Sequence, residues 1–372
     1  MKYTLCRRGT APNRCAFAML LVAGLGCNDV SWPDPEYISS LRVLGVTANP
    51  PTLAPNATSE LSLFCADGSG GPQSEPTCQV EVAWFGGCNN PPNNDPKHCF
   101  ERYRPWGHTL ASSVADTPTE QWPEGFVYGP KLQFQAPEDI LSNELEVMGQ
   151  TVKYGNSYVY FAACAGKLVT DPDVVERLPV ACVDPSSGKR LGQDRFVVGF
   201  TTLYSYDGIS SRNPELIDRR IIDRRFDAAS LSIDCSSSGD CPDGFACSDA
   251  LTCLPSVPPC SKNTPHSCEG HCLTFGVTPE SFLLYRKDGA ALAAPTKGLW
   301  LEYFTNAGAV PDDTSFALRS PQTNATDNVT DQGKPCVWWR APNVATENAH
   351  IWIVVRDDRG GMATWDQRVL VR

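Results

Sequence analysis

The sequence is poor in the residues on which most catalysis depends, with five histidines (His98, His108, His266, His271, His350) and four methionines in 372 residues. It holds no Gly-x-Ser-x-Gly elbow, no His-Glu-x-x-His pair and no glycine-rich phosphate loop following a strand. Acyl transfer, zinc peptidase and nucleotide chemistry therefore lack their usual residues. Long apolar runs are also missing: after residue 26 no segment approaches the ~20 apolar residues that a membrane-crossing helix needs. Extended 3.6-residue patterns are absent too, which excludes a helical bundle. Positive charge is scarce, 31 Lys and Arg against 42 Asp and Glu. A surface so acidic argues against nucleic acid and against anionic lipid as electrostatic partners. These absences lead to a non-enzyme, with no cofactor and no bound metal, as the expectation.

What the sequence has in quantity is cysteine (17), proline (31) and glycine (29). The last two favour short strands joined by many turns. The N-terminal stretch says how to read the first. Lys2, Arg7, Arg8 and Arg14 precede an uncharged run, Ala16 to Gly26, that ends in Gly24-Leu25-Gly26-Cys27. Eleven residues suit the apolar part of a cleavable export signal and are too few to span hydrocarbon. Small residues before Cys27 resemble a bacterial lipobox, in which the cysteine is acylated and becomes the mature N-terminus. Gly24 departs from that pattern, which has an aliphatic residue there, and an ordinary signal peptidase accepts the same small residues. The expectation is a signal peptide over 1–26, a lipid-anchored tether over 27–39 with Cys27 lipidated, and export to the cell envelope, at the outer membrane. Without residues 1–26 the chain has 346 residues with 27 basic and 42 acidic side chains, a formal charge of −15. Losing Cys6 and Cys15 with the leader and acylating Cys27 leaves 14 cysteines, enough for seven disulfides in an oxidising compartment.

Strand signals fill the rest. Leu41-Arg-Val-Leu-Gly-Val-Thr-Ala-Asn-Pro50-Pro is an apolar strand broken at prolines; Glu60 to Cys65 alternates Leu61, Leu63 and Cys65 on one face. Cys78, Val80, Val82 and Trp84 share another face. This order resembles the split first strand, second strand and Trp-bearing third strand of an immunoglobulin-like sandwich. Cys88 to Glu124, rich in Asn, Pro and Asp, reads as a long excursion. Lys131 to Gln135 reads as a strand, Pro137 to Leu141 as a turn of helix, and Ser157 to Cys164 and Arg195 to Tyr206 as further strands. The signals then recur: Val277-Thr-Pro279 echoes Val46 to Pro50, Leu299 to Phe304 echoes Val80 to Phe85, Val337 to Pro342 echoes Leu132 to Pro137, and His350 to Arg356 echoes Ser157 to Cys164. The turn Arg356-Asp-Asp-Arg-Gly-Gly361 and final strand Arg368 to Arg372 resemble the end of polycystic-kidney-disease-type immunoglobulin-like domains. The expected fold is all-β: a first sandwich with long loops over 40–207 and a second over 208–372, interrupted by a Cys-rich insertion over 234–272.

Over most of the chain the order Leu-Arg-Val-Leu-Gly-Val-Thr-Ala-Asn-Pro-Pro, Val-Ala-Trp-Phe-Gly-Gly-Cys, Tyr-Asp-Gly-Ile-Ser-Ser-Arg-Asn-Pro and Val-Val-Arg-Asp-Asp-Arg-Gly-Gly resembles cell-envelope lipoproteins of myxobacteria and related delta-proteobacteria. That likeness implies location and fold, and no catalytic residue. The sequence-local bridges Cys65–Cys78, Cys88–Cys99 and Cys164–Cys182 are expected; the immunoglobulin analogy offers Cys65–Cys164 instead, which strands Cys78 and Cys182. Pairing among Cys235, Cys241, Cys247, Cys253, Cys260, Cys268, Cys272 and Cys336 is open.

Other chemistry has a plainer reading in each case. His266, Cys268, His271 and Cys272 contain zinc-type ligands, but their spacing matches no standard two-plus-two pattern, and export favours disulfides. Asp67, Asp357 and Asp358 suit calcium only weakly, with no spaced Asp-x-Asp-x-Asp-Gly loop, and read as solvated turn residues. His350 reads as an edge or structural residue. Asn56, Asn324 and Asn328 match the glycosylation pattern, which matters only in a eukaryotic secretory path. Trp338, Trp339, Trp352 and Trp365 suit sugar stacking, though such residues are more often buried. The leading functional expectation is a non-enzymatic envelope lipoprotein displaying disulfide-stabilised sandwiches for structural, adhesive or ligand-binding roles, attached to the membrane through its lipid and facing an unknown protein or glycan. The alternative is a carbohydrate-binding module or envelope glycan-processing protein.

Overall fold

Alternating apolar residues on short segments, with prolines and glycines between them, produce sheets throughout. The computed structural model describes residues 35–76, 78–147, 150–173, 177–221, 224–225, 234–291, 298–310, 316–318 and 336–372. The leader and Cys27 lie outside them. The first half contains β1 (Leu41–Asn49), β2 (Thr52–Leu53), β3 (Thr58–Asp67), β4 (Glu81–Asn89), β5 (Phe126–Tyr128) and β6 (Lys131–Gln135). It continues with β7 (Asn143–Val147), β8 (Gln150–Cys164), β9 (Lys167–Thr170), β10 (Val180–Val183) and β11 (Phe196–Tyr206). One sheet has the order β1-β3-β6 and the facing sheet the order β2-β11-β8-β4-β5, with β7 on β8. Between them Val46, Leu61, Leu132 and Phe134 meet Val82, Trp84, Val159, Phe161 and Leu203. The Trp84 indole is fully buried and donates Nε1–H to the Gly129 carbonyl at 3.0 Å, so its polar end is satisfied.

The second half contains β12 (Ile209–Ser211), β13 (Leu216–Ile221), β14 (Arg224–Arg225), β15 (Phe245–Cys247), β16 (Cys253–Val257) and β17 (His271–Val277). After these come β18 (Leu284–Arg286), β19 (Leu299–Thr305), β20 (Phe316–Leu318), β21 (Cys336–Trp339), β22 (Thr346–Asp357) and β23 (Met362–Val371). The sheet β14-β13-β17-β21 faces β15-β16-β23-β22-β19-β20 across a core of Leu273, Phe275, Val337, Trp339, Tyr303, Ile351, Ile353 and Trp365. Trp339 repeats the device of Trp84, donating Nε1–H to the Ala307 carbonyl at 3.0 Å.

The halves share one strand order. β4, β8 and β11 correspond to β19, β22 and β23, and β6 to β21. A short parallel strand closes each large sheet, Thr52 and Leu53 on Tyr204 and Ser205, Ser256 and Val257 on Leu370 and Val371. One echo in the sequence is misplaced. Val277 ends β17, which lies between β13 and β21 as β3 lies between β1 and β6, so Val277-Thr-Pro279 marks the end of a second strand rather than a first. The local pattern of a valine before a proline stop is the same at both ends of a strand, and only pairing separates them.

Three further expectations need correction. Pro137 to Leu141 forms a turn and no helix: Ile140 N–H reaches the Pro137 carbonyl at 3.4 Å, and the Ile140 carbonyl accepts from Asn90 Nδ2–H at 2.7 Å and Ser142 N–H at 2.9 Å. The tether does not extend to residue 39: Thr305 N–H donates to the Glu36 carbonyl and Ile38 N–H to the Thr305 carbonyl, and Ile38 is buried. Nor does the Cys-rich insertion reach 272, since His271 and Cys272 belong to β17, while its own β16 completes the large sheet.

Two features add layers that spacing does not announce. The excursion after β4 folds as short helical turns that lay Tyr103, Trp106, Leu110 and Val114 on the outer face of the β4–β8 sheet, against Phe85, Tyr158 and Tyr160. Phe85 and Trp106 stack at 5.8 Å, and Tyr103 O–H donates to the Phe85 carbonyl at 3.1 Å. The two sandwiches also pack on each other. Leu44, Phe64, Ala66 and Ile38 of the first meet Trp352, Val354, Met362 and Phe304 of the second. Arg356 crosses this seam, its guanidinium donating to the Leu44 carbonyl and, at 2.7 Å, to Glu302 Oε2. Gly45 permits the approach: a Cβ there would lie 2.3 Å from Met362 Sδ. Asn213 spans the same region, donating to the Ala48 carbonyl at 2.8 Å and accepting from Met362 N–H at 3.0 Å.

Candidate functional site

The cysteines define covalent architecture. Cys65 is bonded to Cys78, Cys88 to Cys99 and Cys164 to Cys182, so the inter-sheet Cys65–Cys164 bond of the immunoglobulin analogy is not formed. Cys65 sits on β3 and Cys164 on β8; the first is bonded to Cys78 on the connection after β3 and the second to Cys182 on β10. In the insertion, Cys235–Cys247 and Cys241–Cys253 interlock, and Cys260 is bonded to Cys268. The cluster of Cys235, Cys241, Cys247, Cys253 and Phe245 is the apolar centre of that piece; the bridges are its core. Cys272 is also disulfide-bonded. Cys336 lies on β21, adjacent to β17.

The zinc alternative loses its thiolates to these bonds, since Cys268 and Cys272 are both oxidised. His271 packs its ring 6.0 Å from Trp339, and burial lowers its basicity. The sulfurs of Cys235, Cys241 and Cys253 lie close enough to hold an ion, but all three are in disulfides and have no thiolate to offer.

Asp357 is 3 % exposed and not a solvated turn residue as its sequence context suggests. Its Oδ1 accepts the N–H groups of Arg359 at 2.8 Å and Gly361 at 2.7 Å, which fixes the β22–β23 hairpin. Asp358 sits beside it with its carboxyl raised by burial. Asp67 accepts from Ser69 N–H at 2.9 Å, another turn bond. His350 is 5 % exposed and bridges the sandwiches. Its Nδ1 is 2.8 Å from Asp366 Oδ1, Nε2 is 3.1 Å from Glu75 Oε1 outside hydrogen-bond geometry, and the ring stacks on Trp352 at 5.5 Å. Glu75 belongs to the loop after β3 and also faces Arg368 at 3.8 Å. The candidates for catalysis and metal binding are thus engaged in turns, bridges and the seam. His98 and His108 lie on the short helical turns of the excursion. Asn56 sits in the turn before β3 with φ 63°; Asn324 and Asn328 lie outside the described residues.

Of the tryptophans suited to sugar stacking, Trp339, Trp352 and Trp365 are buried, and Trp338 is 45 % exposed on the outer face of β21. The sequence reading missed a different exposed surface. Val198 and Phe200 of β11 are 41 % and 49 % exposed, and Phe200 packs edge-on against Tyr158 at 5.6 Å. Beside them a cleft of about 360 Å³ is lined by Arg177, Leu178, Val180, Gln193, Phe196, Val197 and Val198. The signal was present: Phe196 to Tyr206 contains no charged residue. Among the described residues no helix is long and apolar enough to cross a membrane.

No known protein family matches the sequence, and no curated protein matches it. Among solved structures, the chain is similar to the adhesin InvE of Yersinia pseudotuberculosis at 11 % identity, covering 89 % of this chain and 60 % of that one, with a TM-score of 0.17. It is similar to extracellular domains 3–5 of Drosophila OTK at 10 % identity, covering 91 % of this chain and all of that one, with a TM-score of 0.13. The chain thus spans less than two thirds of the InvE structure, and superpositions this loose identify neither fold family nor function. What stands is an all-β, disulfide-rich chain of two packed sandwiches.

Proposed function

We propose that the protein is a non-enzymatic, exported component of a bacterial cell envelope, held to the membrane by acylated Cys27, that presents a rigid disulfide-stapled body for adhesion or ligand binding. The observation that carries this reading is the covalent framework: three disulfides in the first sandwich, three in the insertion, and Cys272 of the second sandwich bonded as well. Such bonds form and persist in an oxidising compartment. The fold spends His350 and Asp357 on structure, and among the described residues its exposed large apolar side chains are Val198 and Phe200 of β11 together with Ile217, Leu251, Trp338 and Val344. Three of the four candidate sugar-stacking tryptophans are packed inside and Trp338 alone of the four is exposed, which weighs against the glycan-binding alternative.

Intact-mass analysis of protein extracted from membranes tests the reading. The expected species begins at residue 27, carries the mass of acyl chains there and consumes no thiol reagent after denaturation. An unmodified residue 27, or several free thiols, overturns it.

A further inference from the structure

The register of β11 on β8 sets Phe196 beside Cys164, Val198 beside Ala162 and Phe200 beside Tyr160. Cross-strand partners share a face, and Cys164, Ala162 and Tyr160 belong to the cluster that the excursion covers. Phe196, Val198 and Phe200 therefore lie on that same outer face, where Val198 and Phe200 stay exposed. Leu178 and Val180, at the start of β10, are buried in the same cluster, and the Cys164–Cys182 bond ties β10 to β8. Between this wall and β11 opens the cleft of about 360 Å³. Its volume lies in the range that holds small ligands, and its lining has their usual make-up of apolar walls with few polar groups. The polar groups are Arg177 and Gln193, both exposed. Among the described residues Arg177 has neither an ion pair nor a hydrogen bond. Asp171, on the same connection, is held by Arg190 at 2.9 Å, while Asp173 and Asp194 are exposed and outside the lining.

We propose that this cleft binds a single-chain amphiphile with an anionic head, a carboxylate or phosphate on an acyl chain. The head meets the Arg177 guanidinium, with the Gln193 amide as a second donor, and the chain runs along Leu178, Val180, Phe196 and Val198. The occupant is argued from what the lining can satisfy. An unpaired guanidinium matches a carboxylate or phosphate in charge and in shape. Apolar walls gain from being covered by hydrocarbon, whereas a sugar would turn hydroxyl groups towards them without partners. Beyond the cleft Phe200 continues the apolar surface on the same face, its ring 5.4 Å from Tyr160. Phe196 to Tyr206 carries no charge, so a longer chain leaves the cleft over an uncharged strand. The net charge of −11 repels an anionic surface as a whole, but a single head group inside a Debye length of Arg177 meets the local cation. This names a ligand class for the ligand-binding role proposed above and rests on that reading.

Isothermal titration calorimetry of the exported, oxidised chain carrying Cys27→Ala tests the site. Without acylation no detergent is needed to compete for the cleft, and the assay can fail while the mass analysis of residue 27 succeeds, or the reverse. The probes are decanoate, decanoyl lysophosphatidylglycerol and decanol, each below its critical micelle concentration. Saturable binding of an anionic probe is expected, about 10-fold or more tighter than that of decanol, from the charge-assisted contact with Arg177. Decanoate alone identifies a free fatty acid, the lysolipid alone a phospholipid head, and both together a site that reads the charge. On the same background Arg177→Gln is expected to erase the preference and leave decanol binding unchanged. Val198→Asp is expected to weaken every probe about 10-fold or more. Both positions are exposed, so the variants keep the fold, which an unchanged circular dichroism spectrum verifies. No saturable binding of either anionic probe, the outcome if the cleft takes a protein segment instead, overturns the proposal. So does equal affinity for decanol, an Arg177→Gln variant that keeps the preference, or a Val198→Asp variant that binds as before.

Discussion

At the scale of single residues, the polar groups that look most functional in the sequence hold local geometry. Asp357 was legible as a turn residue, but its burial was not, because that depends on β22 and β23 closing over it. Replacing Asp357 with Ala leaves the Arg359 and Gly361 N–H groups without their acceptor. The expected cost is about 1–3 kcal/mol, read as a lower thermal midpoint, and Asp357→Asn is expected to recover part of it. Buried tyrosines give the protein an alkaline limit. Burial pushes Tyr160 up to about 12, and does the same for Tyr206 against the opposing charge of Arg359. The folded state thus holds the neutral phenol more tightly than the unfolded chain does. Their contribution is complete below pH 10 and drains as pH rises towards 12. Thermal midpoints measured from pH 9 to 12 are expected to fall steeply over the last two units, and Tyr206→Phe to flatten that fall; a flat profile in the wild type would contradict the burial of these rings.

At the scale of elements, the insertion and the excursion show how differently a loop-like composition resolves. Four evenly spaced cysteines announce a stapled piece, and the interlocked bridges Cys235–Cys247 and Cys241–Cys253 supply it. That β16 would then complete the sheet of the second sandwich was not legible, since parallel pairing between distant segments leaves no mark on spacing. The double substitution Cys241→Ala with Cys253→Ala opens a 12-residue cross-link, worth about 3 kcal/mol in the chain-entropy model. Hydrogen exchange is expected to rise in β15 and β16 and at Leu370 and Val371, with the first sandwich unchanged. The excursion carried its own signal in Tyr103, Trp106 and Trp122. Aromatic residues amid Asn and Pro mark a segment that packs, and here they cover the outer face of β4 and β8.

At the scale of the whole molecule, the seam between the sandwiches decides how the body unfolds. Apolar contact of Leu44 and Phe64 with Trp352 and Met362, the Arg356 bridge and the Asn213 span couple the two cores. Calorimetry of the oxidised protein is expected to give one cooperative transition. Arg356→Ala combined with Gly45→Val removes the bridge and drives a side chain into Met362, at about 1–3 kcal/mol for the overpacking alone. Two separable transitions are expected in that variant; a single transition shifted bodily would mean that the cores are coupled elsewhere.

The sequence by itself determined the all-β class, the strands carrying Trp84, Trp352 and Trp339, and the sequence-local pairs in the first sandwich. Each of these is a matter of period-two alternation, proline stops or short separations, which are local properties of the chain. Tertiary structure alone decided which face of each sheet stays open. The outer face of β1 and β3 is spent on the second sandwich and the outer face of β8 on the excursion, while Val198 and Phe200 of β11 are left exposed, because burial there depends on what the rest of the chain brings to it.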